Sequence, residues 1–189
     1  MKRLYFDTET TGFPAKAGTH IERCPFIVQL AAILVDDELG EMASINQIIR
    51  PVGWTVPDEV AAVHGITTSK AMVYGIPSKS AMSVFSQMTR LADQVVAHNI
   101  KFDLTFIAYE MERAGQGNVI ADKPKFCTMD ATTDLCKIPG RWPGKFKWPK
   151  LMEAHIHLLG GGFDDAHDAL ADVRACHRIH RHLIDNKLI

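Results

Sequence analysis

Four cysteines in 189 residues, Cys24, Cys127, Cys136 and Cys176, are widely spaced and form no CxxC pair. That pattern, without a secretory signal, points away from a disulfide framework and makes free thiols in a reducing cytoplasm the expected state. Long hydrophobic runs are missing too. Residues 26–35 form an apolar stretch far short of the ~20 residues that a membrane-spanning helix needs. No signal-peptide pattern opens the chain, since Met1-Lys2-Arg3 runs straight into a strand-like segment. A soluble protein without membrane contact is expected. Nor is there a surplus of one charge: 21 Lys and Arg face 22 Asp and Glu, a net charge of −1. A protein that coats nucleic acid by bulk charge is thereby excluded. An enzyme that grips only a strand end is not, because it needs few phosphate contacts and bound metal ions supply further positive charge. Without repeats, charge blocks or glycine- and proline-rich dividers, and with 47% hydrophobic residues, the chain reads as one domain over 1–189.

What is present is a series of short elements. Residues 3–7 read as a first strand, apolar up to an acidic end, followed by a loop with Gly12, Pro14 and Gly18. Residues 26–35 read as a buried strand and 42–49 as an alternating neighbour. The acidic, glycine-containing segment 36–40 suits a hairpin between them. A Pro57-led segment predicts a short helix stopped by Gly65. Helical spacing follows over 80–91, a compact strand over 95–98, and a helix from about 102 to 114. Further helices are expected over 127–135, 148–159 and 169–183, with 137–147 an exposed loop. Three antiparallel-type strands followed by strand–helix alternation predict an α/β fold with a mixed central sheet.

Three segments carry the chemistry. In Phe6-Asp7-Thr8-Glu9-Thr10-Thr11-Gly12, a strand places Asp7 and Glu9 on one face. Two carboxylates held together there repel unless a cation joins them, and their hard oxygens suit Mg²⁺ or Mn²⁺. In Val96-Ala97-His98-Asn99-Ile100-Lys101-Phe102-Asp103, an apolar strand delivers a turn that opens a helix, with Asp103 near its start. In Ala166-His167-Asp168-Ala169-Leu170-Ala171-Asp172, a helix beginning near Asp168 puts Asp172 one turn inside and His167 at its mouth. A histidine titrating near pH 6.5 suits a general base. Each carboxylate taken alone also fits a blander role, a solvated strand end for Asp7 and Glu9 or a helix-dipole partner for Asp103. Asp168 reads as a cap and stays outside the site. Together, four carboxylates and one histidine match the needs of two-metal phosphodiester hydrolysis, in which carboxylates hold two ions about 3.5–4 Å apart.

These residues, in this order, resemble the DEDD exonuclease superfamily in its histidine subtype. Asp7-Thr8-Glu9 with Thr10-Thr11-Gly12 matches the first motif, residues 99–103 the second, and His167 with Asp172 the third. Val63-His64-Gly65-Ile66-Thr67 and Cys127-Thr128-Met129 also look like that family. The resemblance implies a ribonuclease H-like fold, a five-stranded mixed sheet flanked by helices, and 3′→5′ exonuclease activity. It also implies roles. Asp7 would bridge two Mg²⁺ or Mn²⁺ ions, Glu9 and Asp172 would complete one shell, and Asp103 would hold the second ion. His167 would deprotonate the attacking water, while Glu9, Thr10, Thr11, Asn99 and Phe102 would cradle the terminal nucleotide. The implied partner is a nucleic-acid 3′ end, single-stranded DNA ahead of RNA. The size is similar to a polymerase proofreading subunit or a phage exonuclease, which makes a polymerase a possible partner. RNA-trimming enzymes and an idle binding module are the alternatives.

Two further signals compete. Cys176 and His180 lie four apart on the last helix, with His177, His182, His155 and His157 as additional zinc donors if the fold gathers them. A partly basic, solvated helix face explains them without a metal. Residues 141–148 interleave Arg141, Lys145 and Lys147 with Trp142, Phe146 and Trp148, a mixture that suits either single-strand binding or aromatic anchoring of the loop. Lys101 is a phosphate contact or an exposed helix residue.

Overall fold

The computed structural model describes residues 1–189. Five strands form one sheet in the order β3-β2-β1-β4-β5, with β1 at Lys2–Thr10, β2 at Ile27–Asp36, β3 at Gly40–Ile48, β4 at Gln94–Ala97 and β5 at Lys125–Cys127. The first three strands are antiparallel neighbours, whereas β4 and β5 run parallel to β1. Seven helices complete the α/β arrangement: α1 Asp58–His64, α2 Thr68–Tyr74, α3 Ser78–Leu91, α4 Ile100–Arg113, α5 Thr128–Cys136, α6 Leu151–Leu159 and α7 Ala169–Asp185. This is the ribonuclease H-like mixed sheet that the resemblance implies.

Residue alternation on β1 decides which helix packs where. Leu4 and Phe6 turn to the face covered by α3 and α4, where Met82, Phe85, Phe106 and Ile107 close the larger core. Tyr5 turns to the opposite face, where Val173 and Cys176 of α7 meet Ile33 and Val96. Asp7 and Glu9 share the Tyr5 face and so point toward the start of α7. On the other side, β4 pairs only with Arg3, Leu4 and Tyr5. The β4-side edge of β1 is therefore free from Asp7 onward, at the carboxyl ends of two parallel neighbours, where open α/β sheets leave a crevice.

The hairpin at residues 36–40 forms as expected, with Asp36 accepting from the Glu38 and Leu39 backbone N–H groups. Gly65 ends α1 in the left-handed conformation at φ 71°. Several elements differ from the sequence reading. Helix α2 was not anticipated; Thr67 caps it by accepting from the Lys70 N–H at 3.1 Å, and its seven residues are too few to show a period. Strand β5 has three residues and exists because β4 offers it a parallel edge. The first strand runs on to Thr10, through both carboxylates. Helix α6 begins at Leu151 rather than at Trp148, because Pro149 keeps the residue before it extended. No helix is long and apolar enough to cross a membrane.

Candidate active site

The crevice is built from three directions. Asp7 and Glu9 come from β1, Asp103 from the first turn of α4, and Asp172 from the first turn of α7. Asp103 is 2% exposed, which is far too deep for a carboxylate serving only a helix dipole. Its Oδ1 accepts from the Thr8 backbone N–H at 3.0 Å and from the Thr8 hydroxyl at 2.8 Å. The backbone bond uses the strand edge that β4 leaves free, and the hydroxyl bond comes from the adjoining face. Thr8, the residue between the two acidic ones on β1, is thus a positioning residue that sequence reasoning missed. The alternation that turns Asp7 and Glu9 to one face necessarily turns Thr8 to the other.

At the opposite wall, Asp168 caps α7 by accepting from the Leu170 and Ala171 N–H groups. Its second oxygen accepts from the Gln29 side chain at 3.1 Å. This confirms Asp168 as a cap and adds buried Gln29 as its support. His167 is exposed and left-handed, at φ 72°, and its backbone N–H reaches Asp172 Oδ2 at 3.3 Å. That turn brings the ligand-capable atoms of Glu9, His167 and Asp172 within 4.8 Å of one another. Asp172 Oδ1 is buried and has no hydrogen-bond partner.

The electrostatics follow from that placement. Glu9 is pushed up to about 8, first by burial and then by the charges of Asp172, Asp103 and Asp168. Burial raises Asp103 to about 7 against the pull of the two Thr8 bonds. Asp172 rises to about 6 through burial, opposed by the His167 N–H. Asp7 is held well above the ordinary carboxylate range by burial and then by Asp103, Asp172 and Glu9. Four acidic groups that resist ionising together, one with an orphaned oxygen, form a donor set for hard divalent cations. Asp7, Glu9, Asp103 and Asp172 could hold such ions, and His167 lies within reach of the same volume.

Beside the carboxylates is a cleft of about 260 Å³ whose walls include Glu9, Thr10, Phe13, Val63, His64 and Phe102. His64 also borders a neighbouring depression with Lys70, His167 and Asp168. Val63 and His64 line both hollows. Of the expected nucleotide contacts, Thr10 and Phe102 line the cleft. Thr11 does not: its N–H donates to the Phe26 carbonyl at 2.9 Å and its hydroxyl accepts from the Phe26 N–H at 2.9 Å, clamping the neck of the 12–25 loop. Asn99 is exposed and left-handed at φ 62°, outside the cleft lining. Lys101 is exposed on α4.

A ribonuclease H-like sheet with an acidic crevice at the carboxyl end of its central strand defines the class of protein. Within that class the chain belongs to the RNase_T exonuclease family, whose profile matches residues 4–180. It is 27% identical over 176 residues to the uncharacterized exonuclease CP81 of Escherichia phage 186, covering 91% of this chain and 82% of that protein. It is 31% identical over 115 residues to the 3′-5′ exonuclease DinG of Bacillus subtilis (strain 168), covering 59% of this chain and 11% of DinG. Its fold matches E. coli exonuclease I in complex with a dT13 oligonucleotide with a TM-score of 0.75 at 19% identity, over 96% of this chain and 40% of that one. The chain thus spans most of the phage protein but well under half of exonuclease I.

Proposed function

We propose that the protein is a divalent-metal-dependent 3′→5′ exonuclease of the histidine subtype, acting on the end of a single DNA strand. The observation that carries this reading is the buried, partnerless Asp172 Oδ1 beside Glu9 and His167. An oxygen so placed among like charges calls for a cation. Asp7, Glu9, Asp103 and Asp172 would hold two Mg²⁺ or Mn²⁺ ions. When bound, such ions activate water and stabilise the leaving oxygen in phosphodiester hydrolysis.

The chain's own residues do the rest. The exposed His167 imidazole, reachable by solvent at the crevice mouth, takes the proton from the attacking water. Thr8 holds Asp103 in place through two hydrogen bonds. Phe102, Val63 and His64 offer a wall for the terminal base and ribose, and Asp168, the cap of α7, fixes the helix start so that Asp172 faces Glu9. The family relationship supports exonuclease chemistry. The name of DinG supports the 3′→5′ direction, and the dT13 complex of exonuclease I supports a single DNA strand.

End-labelled degradation of matched single-stranded DNA and RNA, with Mg²⁺, with Mn²⁺ and with chelator, tests the reading. Stepwise, metal-requiring shortening from the 3′ end, faster on DNA, is the expected result. No cleavage by folded protein under any of these conditions would replace the enzyme with a binding module.

A further inference from the structure

Between α5 and α6 the chain leaves the body of the molecule as a short hairpin. Pro139 pairs with Phe146 across it. The Gly140 N–H donates to the Lys145 carbonyl at 2.8 Å, and the Lys147 N–H donates to the Ile138 carbonyl at 3.0 Å. Its own backbone therefore orders it, without help from its aromatic side chains. Residues 141–148 are all exposed, with Trp142 at 69%, Trp148 at 68% and Phe146 at 42%. Had these rings anchored the loop to the core, they would be buried. Instead they are held out in water, where apolar surface costs about 25 cal/mol per Å².

Charge is concentrated on the same segment. Lys137, Arg141, Lys145, Lys147 and Lys150 occupy residues 137–150, a stretch with no Asp or Glu, in a chain whose net charge is −1. Of these cations only Lys147 pairs with an acid, Glu153 at 2.6 Å. The base of the hairpin is tied to the site. His98, whose imidazole burial holds neutral, donates from Nε2 to the Pro149 carbonyl at 2.9 Å, and its Nδ1 accepts from the Thr128 hydroxyl at 3.0 Å. His98 directly follows β4 and precedes the turn that carries Asp103. The hairpin thus springs from the same carboxyl edge of the sheet as the carboxylates.

We propose that this hairpin, residues 138–147 together with Trp148, is a second binding surface for single-stranded nucleic acid, engaging nucleotides upstream of the three at the 3′ end. Trp142, Phe146 and Trp148 stack on bases, and Arg141 and Lys145 meet phosphates. Stacking tolerates any sequence because every base has a π-face, which suits an enzyme that must move along a strand. The identity of the occupant rests on the exonuclease reading. The surface itself goes beyond it, by making affinity depend on strand length.

The test separates the two. Two of the three tryptophans lie on this surface, while Trp54 is stacked on Phe26 at 4.8 Å, so tryptophan emission reports on the hairpin. With chelator present to stop turnover, dT20 should quench the wild-type emission and bind far more tightly than dT3. The Trp142→Ala/Trp148→Ala protein should lose most of the quench and bind dT20 about tenfold or more weaker. The Arg141→Ala/Lys145→Ala protein should show a salt slope smaller by about 1.4, or ~0.7 per lost phosphate contact on a single strand. Both variants alter exposed side chains, so unchanged melting temperatures and wild-type rates on dT3 with Mg²⁺ are expected. Equal dT20 affinity in wild type and both variants, or wild-type binding no tighter for dT20 than for dT3, overturns the proposal and leaves the surface to a protein partner. Failure of the wild type to hydrolyse dT3 with Mg²⁺ instead overturns the exonuclease reading, while the binding arms still decide the hairpin.

Discussion

Two clusters of polar groups lie beneath the same helix, α7, and they are built on opposite principles. At its start, Asp172 meets Glu9, Asp7 and Asp103: acids face acids, all are pushed toward neutrality, and one buried oxygen has no partner. Farther along, His180 and Cys176 meet polar groups that complement them. The Tyr5 hydroxyl donates to His180 Nδ1 at 2.9 Å, and Cys176 Sγ lies 3.5 Å from the Thr128 hydroxyl. Burial lowers His180 to about 4, so its ring stays neutral and fits that pairing. The second cluster is complete as it stands, whereas the first leaves a buried oxygen without a partner. The sequence reading of this stretch as a solvated helix face does not hold for Cys176 and His180, which are both 2% exposed. The zinc alternative fails here because Cys176 and the helix histidines do not gather their ligand atoms as Glu9, His167 and Asp172 do, and His180 Nδ1 is taken by Tyr5. His155 is likewise occupied, donating from Nδ1 to the Gly161 carbonyl and accepting from Arg178 at Nε2.

The largest effect expected from breaking this contrast is at Asp7. Asp7→Asn should lower hydrolysis by at least about 10³-fold, because several kcal/mol of charge stabilisation leave with the ligand. It should also raise the melting temperature of metal-free protein, since a like charge is removed from the crevice. Near-normal rates at matched metal concentration would mean the site is misassigned.

His167→Ala is expected to lower kcat by about 10²–10⁴-fold, the range of a general base, with little change in Mg²⁺ affinity by calorimetry. The placement of a ligand atom of His167 within 4.8 Å of those of Glu9 and Asp172 makes this a sharp test. A large loss of metal binding would turn the histidine from base into ligand.

The two clusters also titrate in opposite senses. The crevice carboxylates have raised values, about 8 for Glu9, 7 for Asp103 and 6 for Asp172. Their stabilising contribution is therefore present below about pH 4 and lost as pH rises through 6 to 8. His180 is depressed, so its contribution is present above about pH 6.5 and lost as pH falls toward 4. Thermal melts without metal should show both limbs, and saturating Mg²⁺ should flatten the alkaline one alone. A Mg²⁺ effect equal at pH 5 and pH 8 would sever the link between the carboxylates and the ion.

Smallest is Tyr5→Phe. It removes the donor to buried His180 Nδ1 and should cost about 1–2 kcal/mol, or roughly 2–8 °C in melting temperature for a chain of this size. Hydrolysis should be unchanged. A comparable loss of activity would show that the second cluster is not merely structural.

Much of the candidate site's geometry was legible before the fold. The strand period alone put Asp7 and Glu9 on one face, and the helical period put Asp172 one turn beyond the Asp168 cap. The three motifs in their order pointed to the family and thereby to the mixed sheet. Less legible were elements too short to carry a period, α2 and β5, and the nucleotide contacts, where Thr11 turned out to be spent on the neck of its own loop.

Local order along the chain thus determined which chemistry this protein carries, since residue spacing on a strand or helix sets which side chains share a face. Tertiary structure decided which polar groups are satisfied. Thr8 meets Asp103 across 95 residues and Tyr5 meets His180 across 175, and no local period encodes such pairings. It also decided that Trp142 and Trp148 face water, because whether an aromatic ring anchors a loop depends on what the fold places beneath it.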